Sequence, residues 1–222
     1  MLKKKIGVIL SGCGYLDGAE IQEAVFTLYH LDRLGAEAVC FAPARKQHHI
    51  VNHLTGSEVV GERNVREEAA RIARGKVAGI SEATVEGLDG LIFPGGFGAA
   101  KNLSTFAFEG AGMSVDSGVQ SLILGMREAG KPLGFICISP MIGAKVLGAE
   151  GVTLTIGVDT MTAQVMEALG AKHVPCAVED IVIDRDKRVV STPAYMYEAS
   201  PAAVCEGIGK LVDQVIYWTN EA

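Results

Sequence analysis

Three groups of residues in this chain could do chemistry together. The first is Cys137, at the centre of GFICISP. Lys131 to Ile136 is a short apolar run after a Gly-ended helix, and Ser139 and Pro140 suit the first turn of a new helix. A cysteine at such a strand-to-helix junction sits on a sharp turn beside backbone N–H groups and the positive end of the helix dipole, a setting that favours a nucleophilic thiolate. The second group is Glu20 and Glu23, three residues apart just past the first strand, so that both carboxylates fall on one face at the start of a helix. The third is the turn Pro94, Gly95, Gly96 and Gly98, whose bare backbone can offer N–H donors to a developing oxyanion. Each has a plainer reading. Free cysteines are often small core residues, first-turn acids complement the helix dipole, and glycines make ordinary turns. Their common position after strands separates the readings, because ligands of an open parallel sheet bind beyond the strands' carboxyl ends.

The remaining candidates are weaker. Gly12, Gly14 and Gly18 in SGCGYLDG give a spacing one residue too long for a dinucleotide fingerprint, and the second strand ends in Cys40, Phe41, Ala42 and Pro43 with no acid to hold a ribose. His48, His49 and His53 include an i, i+4 pair but no third ligand nearby, so no metal is expected and no cofactor is implied. The five cysteines are odd in number, widely spaced and without C-x-x-C, which reads as reduced thiols. A net charge of −6 without a basic run gives nucleic acid no electrostatic footprint. No stretch has the apolar length of a membrane span, and MLKKKIGVILSGCG does not read as a secretory leader, so the expected location is cytoplasmic.

These residues need a frame, and the periodicity supplies one. At 222 residues the chain fits a single α/β domain over 1–222, with an insertion near 45–79. KIGVILS, AEAVCFAP, LDGLIFPGG and KPLGFIC read as buried parallel strands. AEIQEAVFTLYHLDRLG is an amphipathic helix stopped by Gly35, and NHLTGSEVVGE predicts a short hairpin. SVDSGVQSLILGMREAGK predicts a helix capped by Ser114, VTLTIG a strand, and DTMTAQVMEALG a helix capped by Asp159. Two strands around a D-x-D-K turn and a closing helix from Ser200 complete the pattern. Strand and helix alternate throughout, which predicts a mostly parallel sheet covered on both faces.

Together these pieces resemble the PfpI and Parkinson-associated deglycase superfamily, on a class I glutamine amidotransferase-like, three-layer flavodoxin-like α/β fold. SGCGYLDGAEIQEAV, CFAP, NHLTG, PGGFGAAKNLS, KPLGFICISP, TIGVDT and STPAYM look like segments of its ElbB subfamily, described as glyoxalase-like and linked to lycopene production and so to isoprenoid biosynthesis. The resemblance implies Cys137 as nucleophile, Glu23 as the glutamate touching the thiol, Glu20 as a second pocket acid, Gly95 and Gly96 as the oxyanion turn, and Ile138 as the amide after the nucleophile. It also implies a homodimer. The sequence departs from the superfamily's proteases and amidotransferases: Ile138 stands where a histidine would follow the cysteine, Thr155 stands near the deglycase pocket histidine, and Ser191 to Tyr197 contain no histidine. An amine leaving group needs a proton donor, so amide hydrolysis would require an outside base such as His53.

The expectation is therefore a glutathione-independent, cofactor-independent glyoxalase turning a small 2-oxoaldehyde into a 2-hydroxy acid. In it the Cys137 thiol pKa is lowered by the helix N-terminus and the Gly96 and Ile138 amides, and Glu23 donates to the thiolate. The alternative is a redox-sensing or partner-binding protein using the same cysteine.

Overall fold

The computed structural model describes residues 3–221. In chain order it runs β1 (Lys5–Ile9), α1 (Ile21–Arg33), β2 (Glu37–Ala42), β3 (Val51–Asn52), β4 (Ser57–Glu58), α2 (Val65–Ile72), β5 (Val77–Gly79) and β6 (Gly90–Phe93). There follow α3 (Phe97–Lys101), α4 (Phe106–Glu109), α5 (Ser117–Glu128), β7 (Leu133–Ile136), α6 (Pro140–Leu147), β8 (Thr153–Leu154) and α7 (Thr160–Ala168). β9 (Lys172–His173), β10 (Val182–Asp184), β11 (Val189–Thr192) and α8 (Pro201–Asn220) end the chain.

Seven strands form one sheet in the order β10-β11-β7-β6-β1-β2-β5, parallel throughout except for the β10–β11 pair. The unbroken apolar runs follow from this: a strand covered on both sides buries every side chain. Successive residues of β6 alternate between two cores. Leu91 and Phe93 join Phe135, Ile123, Met126 and Leu147 beneath α5 and α6. Ile92 joins Ile6, Val8, Leu31, Ile208 and Val215 beneath α1 and α8. The result is a three-layer sheet with helices on both faces. The chain leaves β1 for β2 on one side and returns to β6 on the other, so the sheet's direction of winding reverses between β1 and β6. That is where the crevice of a doubly wound sheet opens.

The predicted hairpin is β3–β4, and the 45–79 segment goes on through α2 to place β5 at the far edge of the sheet. Three local expectations change. Asp116, not Ser114, caps α5, with Oδ1 accepting from Gly118 N and Val119 N at 3.0 and 3.1 Å. The strand expected over 152–157 shortens to β8, because the Thr155 amide turns to Ser191 Oγ and Gly157 takes a positive φ. Glu20 lies before the first helix as its N-cap rather than inside its first turn.

One side chain ties the strand ends that matter. Ser139, fully buried, donates to Phe93 O at 2.7 Å and accepts from Ile136 N at 2.8 Å, so its hydroxyl joins the ends of β6 and β7 above the stacked rings of Phe93 and Phe135. Ser139→Ala leaves two buried backbone groups without partners and is expected to lower unfolding stability by about 1–3 kcal/mol, read as a lower urea midpoint at unchanged slope.

Candidate active site

Four strand ends converge on Cys137. The chain leaves β7 at Ile136, turns at Cys137 with φ of +61°, and enters α6 with Pro140 at its first position. A non-glycine residue in the left-handed region costs roughly 1–3 kcal/mol and persists where the surroundings over-determine it. Here the Cys137 amide donates to Thr192 O at 2.9 Å, at the end of β11, and the Ser139 amide returns to Ile136 O at 3.0 Å. The sulfur is thus presented at the carboxyl edge of the sheet, and the residue is 7 % exposed.

Glu23 is the partner. Fully buried in the first turn of α1, its carboxyl accepts from Gly95 N at 2.8 Å and Tyr195 N at 3.3 Å and lies beside the Cys137 thiol. Burial, then the neighbouring Glu20 carboxylate, push its pKa up to about 8, against the three hydrogen bonds that pull it down. Glu20 plays a different part from the one its spacing suggested. Its Oε2 accepts the Glu23 amide at 2.6 Å as the cap of α1, and its own amide donates to Gly95 O at 3.0 Å. It lines the cavity, with its pKa raised by burial.

The glycine turn divides its work. Within the turn that the resemblance assigned to the oxyanion, the Gly95 amide donates to Glu23; a Cβ there would lie 2.5 Å from Cys137 Cβ. Gly96 has φ of +86°, and a Cβ would meet the Glu20 amide nitrogen at 2.4 Å and Gly18 O at 2.5 Å. The amides of Gly96 and Ile138 lie beside the Cys137 sulfur, where they favour its anion. The thiol pKa is nevertheless raised, not lowered as the sequence suggested, because burial first and the charge of Glu23 second outweigh those amides. Cys137 and Glu23 therefore form one buried acid pair that keeps its protons at neutral pH.

Cys137, Gly96, Ile138, Glu20 and Tyr195 line a cavity of about 760 Å³, and none of its lining residues is a histidine. His53 faces a separate hollow with Cys13, where its Nε2 accepts from Leu16 N at 3.3 Å. His48 and His49 pack on Phe108 in a surface loop. Thr155 is buried with its Oγ1 on the Gly157 amide. Cys40 and Cys176 are pushed up to about 11, chiefly by burial. Sequence reasoning missed Tyr195, although STPAYM was among the recognised segments, because its contribution to Glu23 is a backbone N–H that any residue type could supply. It also missed the aromatic side chains Phe97 and Phe106, which line the same cavity.

The three-layer, mostly parallel sheet with Cys137 at a strand-to-helix elbow is the class I glutamine amidotransferase-like fold. Drosophila melanogaster DJ-1beta shares the fold, with a TM-score of 0.53 at 16% identity over 99% of this chain and 97% of that one. No family model matches the sequence. The crystal structure of an isoprenoid biosynthesis protein with amidotransferase-like domain from Ehrlichia chaffeensis matches with a TM-score of 0.91 and 35% identity, covering 97% of this chain and 99% of that chain. Human glutamine amidotransferase-like class 1 domain-containing protein 3, mitochondrial, is 43% identical over 98% of this chain and 84% of its own length. The ES1 protein homolog, mitochondrial, of Rattus norvegicus is 41% identical over 99% of this chain and 85% of its own length. The chain belongs to this family of ES1 and glutamine amidotransferase-like class 1 domain-containing proteins. Those relatives are named as mitochondrial proteins, which overturns the expected cytoplasmic location.

The raised Glu23 pKa has a consequence for stability. Between its ordinary value of 4.5 and about 8 the folded protein holds a proton that the unfolded chain has released, so this stabilisation is complete below that window and is lost as pH rises through it. Unfolding of wild type and Glu23→Gln in urea, at about pH 5 and about pH 8.5, should show the wild type losing a few kcal/mol more than the variant. Parallel pH slopes for the two proteins would mean that Glu23 titrates as an exposed acid.

Proposed function

We propose that this protein is a glutathione-independent glyoxalase that converts a 2-oxoaldehyde and water to a 2-hydroxy acid. The observation that supports it is the pairing of an elbow thiol with a buried carboxyl of pKa about 8, on a cavity whose lining includes no imidazole. Adding a thiol to an aldehyde expels no leaving group, so it does not ask for the proton donor that amide hydrolysis needs.

In this reading ionised Glu23 takes the thiol proton as sulfur attacks the aldehyde carbon. The new oxyanion receives hydrogen bonds from the Gly96 and Ile138 amides and then that proton, giving a hemithioacetal. Glu23 next removes the proton from C1 and returns it to C2 through an enediol, while the C1 hydroxyl proton passes to the C2 oxygen, leaving the thioester of the hydroxy acid. Water cleaves the thioester and restores the thiol. Carbon is oxidised at C1 and reduced at C2 by the same electron pair, so no external oxidant or reductant enters.

Hydroxy acid formed from methylglyoxal is the readout. Cys137→Ser should abolish it, and Glu23→Gln should lower kcat by about a hundredfold or more, the usual worth of a positioned base. Because the working form of Glu23 is the carboxylate, wild-type kcat/KM should rise with pH to a midpoint near 8. Full activity in the Glu23 variant, or no product from wild type at any pH, would dismiss this function.

A further inference from the structure

Beyond the sulfur, the cavity is far larger than a three-carbon aldehyde. Its volume of about 760 Å³ lies within the roughly 300–1,000 Å³ of pockets that enclose drug-sized ligands. Its walls are mostly hydrocarbon, with Phe97, Phe106, Met196 and Ile138 among them. The Phe97 ring is 49 % exposed, and the Lys101 ammonium lies 5.1 Å from its centroid, not on the cavity lining.

The charged groups of the lining point to the same class of ligand. It includes no lysine, arginine or histidine. Its carboxylates at the surface of the cavity are Glu20 and Asp159, and both are committed to helix caps: Glu20 to the Glu23 amide at 2.6 Å, Asp159 to the Met161 and Thr162 amides at 3.0 and 3.1 Å. A phosphate or carboxylate on the substrate would find no cationic side chain in that lining and two acidic ones. A neutral ring or branched chain would find Phe97 and Phe106.

We infer that the substrate is an uncharged aldehyde with a hydrocarbon body about the size of one aromatic ring, seated between Phe97 and Phe106 while its aldehyde carbon meets Cys137. The inference rests on the reading of Cys137 as an aldehyde-adding thiol. In that step a sulfur–carbon bond forms, the carbonyl π pair moves to oxygen, and the thiol proton ends on that oxygen.

Simple aldehydes without a neighbouring ketone can make this adduct but cannot be isomerised, so they probe the pocket apart from turnover. Phenylacetaldehyde, acetaldehyde and glyoxylate would each be tested for protection of Cys137 against iodoacetamide, followed by peptide mass spectrometry and normalised to adduct formation with free N-acetylcysteine. Phenylacetaldehyde should protect at a concentration about tenfold or more below that of acetaldehyde, the factor expected from burying one ring. Glyoxylate should protect least, and Phe106→Ala should remove most of the phenyl advantage. Equal normalised protection, or a preference for glyoxylate, overturns the inference, as does a lack of protection by all three. Turnover of methylglyoxal and phenylglyoxal is measured alongside. A phenyl preference without hydroxy acid from either would dismiss the glyoxalase and keep the pocket assignment; turnover of methylglyoxal without a phenyl preference would do the reverse.

Discussion

A thiol and a carboxyl share one dry position at the edge of the sheet, and the surrounding structure is arranged to make that tolerable. Burying an acid costs several kcal/mol when it ionises unless donors replace the lost water. Here four backbone amides surround the pair: Gly95 and Tyr195 donate to the carboxyl, and Gly96 and Ile138 lie beside the sulfur. They are too few to offset the burial, so both groups keep raised pKa values. Once Glu23 ionises, its charge raises the thiol pKa further, so the second proton is harder to release than the first.

That arrangement explains why the chain is built from short parallel strands with tight ends. The four amides come from three loops: Gly95 and Gly96 from the end of β6, Ile138 from the end of β7, Tyr195 from beyond β11, with Glu23 supplied by the helix after β1. Parallel strands bring all these ends to one side of the sheet, and the winding reversal between β1 and β6 leaves the space for them to meet. The close approach at Gly95 and Gly96 removes side chains from the turn so that Glu23 and Cys137 can touch across it.

Much of this was legible in the residues. The strands announced themselves because a doubly covered strand is apolar without interruption, as in KIGVILS and LDGLIFP. Cys137, Glu23 and the PGG turn stood out through type and position. What the sequence hid depends on one-residue offsets or on three-dimensional burial. Ser114 and Asp116 are both sound caps, and only the path of the chain chose the second. Glu20 and Glu23 look equivalent until the helix is seen to begin at Ile21, which makes one a cap and the other a buried acid. The direction of the Cys137 shift depended on how much water the fold removes from the sulfur, a quantity that no local pattern records.

The hydrogen bond from Cys137 N to Thr192 O, with the Tyr195 amide on Glu23, places the last parts of the site close to the closing helix. Cys137, Glu23 and the glycine turn therefore come earlier in the chain than the segment that holds them in place. A chain ending before Pro193 would keep the hydrogen bond from Cys137 N to Thr192 O but lose the Tyr195 amide, so the buried Glu23 carboxyl would be left with the Gly95 amide as its backbone donor.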